Sequence, residues 1–135
     1  MRLSHLADYA VVLMTAAARR EAGARLSATE LSEDTGVPLP TAQKLMGQLA
    51  ASGLLTSSRG AGGGFALARP AAEISLADIV EAVEGPIALS ACSDGGDCSV
   101  EQHCAVRPHW PVVNQALRGA LAGVSLVQLS RGVDA

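Results

Sequence analysis

Aromatic side chains are almost absent from this chain of 135 residues: Tyr9, Phe65 and Trp110 are the whole set. A sheet that stacks nucleobases, or an OB-type barrel that grips single strands, needs more ring faces than that, so single-strand binders are excluded. No stretch approaches the ~20 consecutive apolar residues of a membrane-spanning helix. Arg2, then Ala10-Val11-Val12-Leu13-Met14 and Ala16-Ala17-Ala18, imitate a secretory leader. His5 and Asp8 fall where an uninterrupted apolar segment belongs, so a helix is the preferred reading. Positive charge is also short: the net charge is −3 and the pI about 5.5, which taken whole argues against a polyanion partner. Finally, the cysteines cannot all pair. Three of them without a convincing export signal point to reduced thiols and a cytoplasmic location, not a disulfide scaffold. Catalysis finds no support, because no nucleophile and base pair that would form a pocket is evident.

What the chain does have is aliphatic bulk. Leu, Ile, Val and Phe number 33 and only 17% of residues are charged, a balance that folds. Ala contributes 25 residues, and an Ala-rich, aromatic-poor set favours closely packed helices over a sheet protein. Charge is divided unevenly. Residues 1–70 hold seven Arg/Lys and five Asp/Glu, net +2, whereas residues 71–135 hold three and eight, net −5.

Apolar residues Leu6, Ala10, Leu13, Met14 and Ala17 recur at three and four, predicting an amphipathic helix from residue 4 to about residue 21, ended by Gly23. Ser27-Ala28-Thr29-Glu30 reads as a capping box opening a short helix that stops near Thr35. Gly36 and Pro38 then mark a tight turn, and Pro40 suits the first turn of a second helix running to about Ser52, with Leu45 and Leu49 on its buried stripe. Gly53 falls in the usual C-cap position. Leu54-Leu55-Thr56-Ser57-Ser58, the glycine-rich Arg59-Gly60-Ala61-Gly62-Gly63-Gly64, and Phe65-Ala66-Leu67 form a β-hairpin behind that helix. The fold class is therefore mainly α with a small β-hairpin: a winged helix-turn-helix in outline. Ser75-Leu76-Ala77-Asp78 caps a further helix bearing Ile79, Val80 and Val83 and ending at Gly85-Pro86. After a polar loop, Trp110, Val113, Leu117 and Leu121 predict a long helix from Pro108 to about Ala122, and the tail can add one short turn of helix. The expected division is a winged helix-turn-helix over 1–86, a cysteine loop over 87–107, and a dimerisation helix with its tail over 108–135.

Cys92, Cys98 and Cys104 are each separated by five residues in the polar loop. Thiolates ligate zinc and iron–sulfur clusters. Structural zinc sites pair ligands two to four residues apart, so the longer arcs here suit a larger object such as a cluster. A fourth ligand must come from elsewhere. Candidates are His103, His109, Asp97, Glu101 and, far away on the first helix, Asp8.

The second helix of the pair would enter a major groove by its N-terminal end, which makes Thr41, Gln43 and Lys44, with Gln48 one turn on, the candidate DNA contacts. Gln can pair bidentately with adenine, and Lys can reach guanine or phosphate. Arg59 with Gly60 begins the wing, where a guanidinium can enter a narrow minor groove. A nucleotide-phosphate role for the glycines is dismissed, because no Lys-Ser/Thr follows them and a strand comes next instead of a helix. The long helix at residues 108–122 reads as a dimer contact, since a two-fold operator is read by a dimer.

On these residues the chain resembles the Rrf-two family of winged-helix transcription regulators, from Met1 to about Leu129. The resemblance rests on Met1-Arg2-Leu3-Ser4 with Asp8-Tyr9-Ala10, on Gly53-Leu54 leading to Arg59-Gly60-Ala61-Gly62-Gly63-Gly64-Phe65, and on the three evenly spaced cysteines. Residues 84–92, from Glu84-Gly85-Pro86 to Cys92, are most similar to the branch that regulates SUF iron–sulfur assembly operons. The resemblance implies a homodimer that binds a double-stranded operator, and a 2Fe-2S or 4Fe-4S cluster on Cys92, Cys98 and Cys104 whose state sets operator affinity. In IscR-like members a His three residues after the last Cys completes the site, whereas this chain has Arg107. In NsrR-like members an Asp on the first helix of the other subunit serves, and Asp8 matches it. The expected function is repression of SUF genes. The alternatives are a nitric-oxide-sensing repressor and a zinc or redox protein that does not bind DNA.

Overall fold

A computed structural model of the chain describes residues 4–20, 24–58, 64–87 and 109–131. Helix α1 (His5–Ala18) starts where the Ser4 hydroxyl accepts the Ala7 N–H at 3.0 Å. Of its expected stripe Ala10, Leu13, Met14 and Ala17 are buried, while Leu6 is only half-buried and Ala7 takes the inner place. Helix α2 (Ala28–Thr35) begins with the Ser27 hydroxyl accepting the Glu30 N–H, also at 3.0 Å. The expected reciprocal bond takes another form, since the Glu30 carboxylate accepts from the Ser27 hydroxyl at 3.3 Å.

Gly36 closes α2 in the left-handed region, φ +81°. The following turn is fastened by side chains: the Ser32 hydroxyl donates to the Val37 carbonyl at 2.6 Å, and Thr35 Oγ1 accepts the Val37 N–H at 3.2 Å. Those bonds set α3 (Leu39–Ala51) against α2, with Ala42, Leu45, Met46 and Leu49 buried. Helix α3 ends in a Schellman arrangement, in which the Leu54 N–H reaches the Leu49 carbonyl at 3.0 Å and the Gly53 N–H reaches that of Ala50 at 3.1 Å.

Strands β1 (Leu55–Ser58) and β2 (Gly64–Leu67) pair antiparallel, Leu55 opposite Leu67 and Ser58 opposite Gly64. The segment before α2 adds a single bridge on the other edge of β2 that periodicity does not show. Leu26 and Phe65 exchange both backbone hydrogen bonds at 2.7 Å. Gly64 is what allows this approach. A Cβ there would lie 2.8 Å from the Leu26 carbonyl oxygen, and its φ of +144° disfavours any side chain.

A short 3₁₀ turn (Ala71–Glu73) leads to α4 (Leu76–Glu84), opened by a full capping box between Ser75 and Asp78. Helix α5 (Trp110–Ala122) packs on α4, and Arg118 Nε donates to Glu81 at 2.8 Å. Helix α6 (Leu126–Ser130) is secured by a second capping box, Ser125 with Gln128. It also returns to the body: the Leu126 N–H bonds the Ile74 carbonyl and the Leu76 N–H bonds the Val124 carbonyl, both at 2.8 Å. Leu126 is fully buried in the same core as Leu13, Leu31, Leu45, Leu49, Ile74 and Ile79, so the expected 108–135 arm contributes a side chain to the core of the expected 1–86 half.

Candidate nucleic-acid interface

Burying Ala42, Leu45, Met46 and Leu49 leaves the opposite side of α3 in solvent. Pro40, Gln43, Lys44, Gly47 and Ala51 are exposed at helical spacing and form one open stripe. Lys44 has no acidic partner among the described residues, whereas Arg20 is paired with Asp34, Arg69 with Asp78 at 3.6 Å and Arg118 with Glu81. An unpaired ammonium beside an amide on an exposed helix face is the donor set that base edges and phosphates require.

Thr41 is half-buried at the edge of this stripe. Gln48 is half-buried as well, and its Oε1 is enclosed without a donor among the described residues. The hairpin stands behind α3, joined to it through the Gly53-Leu54 turn, with Thr56, Ser57 and Ser58 exposed along β1. Arg59 and Gly60 lie outside the described residues. The turn chemistry of α2–α3, the open face of α3 and the hairpin bridged to Leu26 together make a winged helix-turn-helix. A family model described as "Iron-dependent Transcriptional regulator" and named Rrf2 matches residues 3–132.

The chain belongs to the Rrf2 family. It is 29% identical over 129 residues to the HTH-type transcriptional regulator IscR of Escherichia coli O1:K1, spanning 96% of this chain and 80% of that one. Among solved structures, the oxidized form of Staphylococcus aureus CymR superposes with a TM-score of 0.73 at 29% identity, covering 100% of both chains. T. potens IscR superposes with a TM-score of 0.74 at 23% identity, over 99% of this chain and 89% of that one. This Rrf2 protein is thus a transcriptional regulator related to IscR, and its curated relatives are regulators, not enzymes.

The cysteine segment of this Rrf2 protein is only bracketed. Cys92, Cys98 and Cys104, with Asp97, Glu101 and His103, lie outside the described residues. Among the described residues no group of three His, Cys, Asp or Glu side chains is gathered as for a metal ion. His109 is exposed at the start of α5, where its side chain makes no capping bond. Asp8 is exposed one turn into α1, free of ion pairs among the described residues. Ser4, one turn earlier, donates to Glu84 at the end of α4 and so draws that end of α1 towards the point where the cysteine segment leaves. No described helix is long and apolar enough to cross a membrane.

Two features of this region are not visible in the sequence pattern. The Leu26–Phe65 rung is one; its only signal is a lone apolar residue just ahead of the Ser27 cap. The other is which residue completes the apolar stripe of α5 between Trp110 and Leu117. Its inner side carries Trp110, Asn114, Leu117 and Leu121, all half-buried, with Asn114 in the place expected for Val113. Val113 instead faces solvent at 38% exposure, next to Val112 at 72%. No residue of α5 is fully buried.

Proposed function

We propose that this chain is a homodimeric, iron–sulfur-dependent regulator that represses SUF cluster-assembly genes by binding an operator through α3 and the wing. The observation that carries the DNA contact is the open Gln43–Lys44 face of α3, flanked by a hairpin clamped to Leu26. Lys44 supplies charge and Gln43 an amide for a base edge. Gln48 gains by rotating outward, because its enclosed Oε1 has no donor among the described residues and a buried acceptor without one costs about 1–3 kcal/mol. Thr41 at the helix entrance and Arg59 with Gly60 at the wing complete the contact set.

Homodimerisation is supported by α5. A helix with no buried residue and with Val112 and Val113 in water has an apolar side awaiting a partner, and a second copy supplies a matching one.

Cys92, Cys98 and Cys104 would hold the cluster, with Asp8 of the other subunit as the fourth ligand. The donor set fits: three thiols in one segment leave a position for a weaker oxygen donor, and the exposed Asp8 carboxylate has no ion-pair partner among the described residues. Bound there, the cluster would supply a centre that reacts with oxygen or nitric oxide. The chain's own part is mechanical, because the cysteine segment runs between α4 and α5, and α4 packs on α1 and α3. A second reading, nitric oxide as the signal, draws on Asp8 being open while Arg107 stands where IscR-like members have His. Protein purified without oxygen tests both. A brown sample with iron and acid-labile sulfide supports the cluster, and bleaching by nitric oxide supports the second reading. A colourless zinc protein would defeat both.

A further inference from the structure

We infer that Arg25 is a phosphate contact of the DNA-binding face, a role that rests on the DNA-binding reading above and extends it to a residue outside the helix-turn-helix and the wing tip. Side chains alternate across a strand, so the Leu26–Phe65 rung sorts the sheet into two faces. Leu26, Phe65, Leu67 and Leu55 turn towards the body, with Leu26 and Leu55 buried in the core. Arg25, Ala66, Gly64, Thr56 and Ser58 share the outer face. Gly64 and Ala66 are the two smallest residues available, and they leave a shallow track across the middle strand. The Arg25 guanidinium spans that track, and its Nη1 donates to Ser58 Oγ on the far strand.

Three features separate Arg25 from an ordinary surface arginine. It is exposed, and it has no carboxylate partner among the described residues. Its backbone is fixed, because the adjoining Leu26 makes two 2.7 Å hydrogen bonds to Phe65. Its charge is also aimed: the bond to Ser58 directs the guanidinium across the exposed face of the hairpin. Ser58 uses one donor of a five-donor fork, which leaves the others for phosphate oxygens. The chemistry that would be recognised is the sugar–phosphate backbone beside the groove entered by the wing, without regard to base sequence.

A phosphate contact has its own signature in salt. Each one contributes about 0.9 to the slope of log K against log salt, so losing it weakens binding about eightfold at 0.1 M and hardly at all near 1 M. The test uses the full chain and a fluorescent duplex of about 30 base pairs of arbitrary sequence, with anisotropy titrations across about 0.05–0.5 M KCl. Arg25→Ala is expected to lower the slope by about 1 and to bind about eightfold more weakly at 0.1 M, while Arg25→Lys keeps the wild-type slope. An Arg25→Ala protein with an unchanged slope overturns the inference. So does one that is weaker by the same factor at every salt concentration and is not rescued by Lys, since that behaviour belongs to a structural role. Wild-type protein that fails to bind the duplex at any salt would remove the DNA-binding reading itself, an outcome distinct from either.

Discussion

Replacing Gly64 with Ala asks for a side chain where the fold leaves none. The new Cβ would sit 2.8 Å from the Leu26 carbonyl oxygen and 3.2 Å from its carbon, both backbone atoms that cannot rotate away. At φ +144° a non-glycine residue carries about 1–3 kcal/mol of backbone strain before any contact is counted. Withdrawing the Leu26 carbonyl then loosens its paired hydrogen bonds to Phe65, each worth about 0.5–1.5 kcal/mol net. The total is about 3 kcal/mol. At about 2 cal/mol/K of unfolding entropy per residue, a chain of 135 residues should lose about 10 °C in Tm. Gly47→Ala is the internal control: nothing lies within 4 Å of its Cβ, and an exposed helical Gly→Ala change gains about 0.8–1 kcal/mol, or about 3 °C. Calorimetry at one fixed protein concentration measures both. Opposite shifts of these sizes support the Leu26 approach as the reason for Gly64. A Gly64→Ala protein melting with the wild type would refute it.

Other outcomes follow from burial and exposure. Leu126→Ala removes a fully buried core side chain and should cost about 2–5 kcal/mol, read as a lower urea midpoint with an unchanged m-value. Lys44→Ala should weaken operator binding and flatten its salt dependence while leaving Tm within about 2 °C, because the residue is exposed and has no acidic partner among the described residues. Val112→Glu with Val113→Glu should shift the protein towards monomer in sedimentation, with little loss of monomer stability since both are exposed. Cys98→Ser should abolish iron retention in anaerobically purified protein but leave the far-ultraviolet circular dichroism unchanged.

The features legible in the amino-acid order are local ones. Ser27, Ser75, Gly36 and Gly53 announce helix ends through bonds that reach only three to five residues, and each end falls within a residue or two of its expected place. The buried stripe of α3 is equally plain, since its spacing follows from the helix alone. Long-range pairings are not legible. Leu26 meets Phe65 and Ser75 meets Ser125 across stretches that carry no shared pattern. The candidate site divides in the same way. Gln43 and Lys44 are open because they lie opposite Leu45 and Leu49, but Gln48 is half-buried because neighbouring structure closes over it. Val113 and Asn114 exchange their expected sides, which periodicity leaves open because a step of three or of four from Trp110 suits a helix equally.

The seating of Leu126 beneath Ile74 makes the chain a closed circuit. Whatever joins Ile87 to His109 is bounded by α4 on one side and by α5 running into α6 on the other, and both sides are moored to one core. A contraction between those two points has no slack end to take it up, so it must be resisted or passed on to α1 and α3. A fragment cut after residue 86 would carry a hole where Leu126 belongs. The smallest piece of this protein able to hold α3 in its place is therefore discontinuous in sequence, and the segment joining α4 to α5 falls inside it.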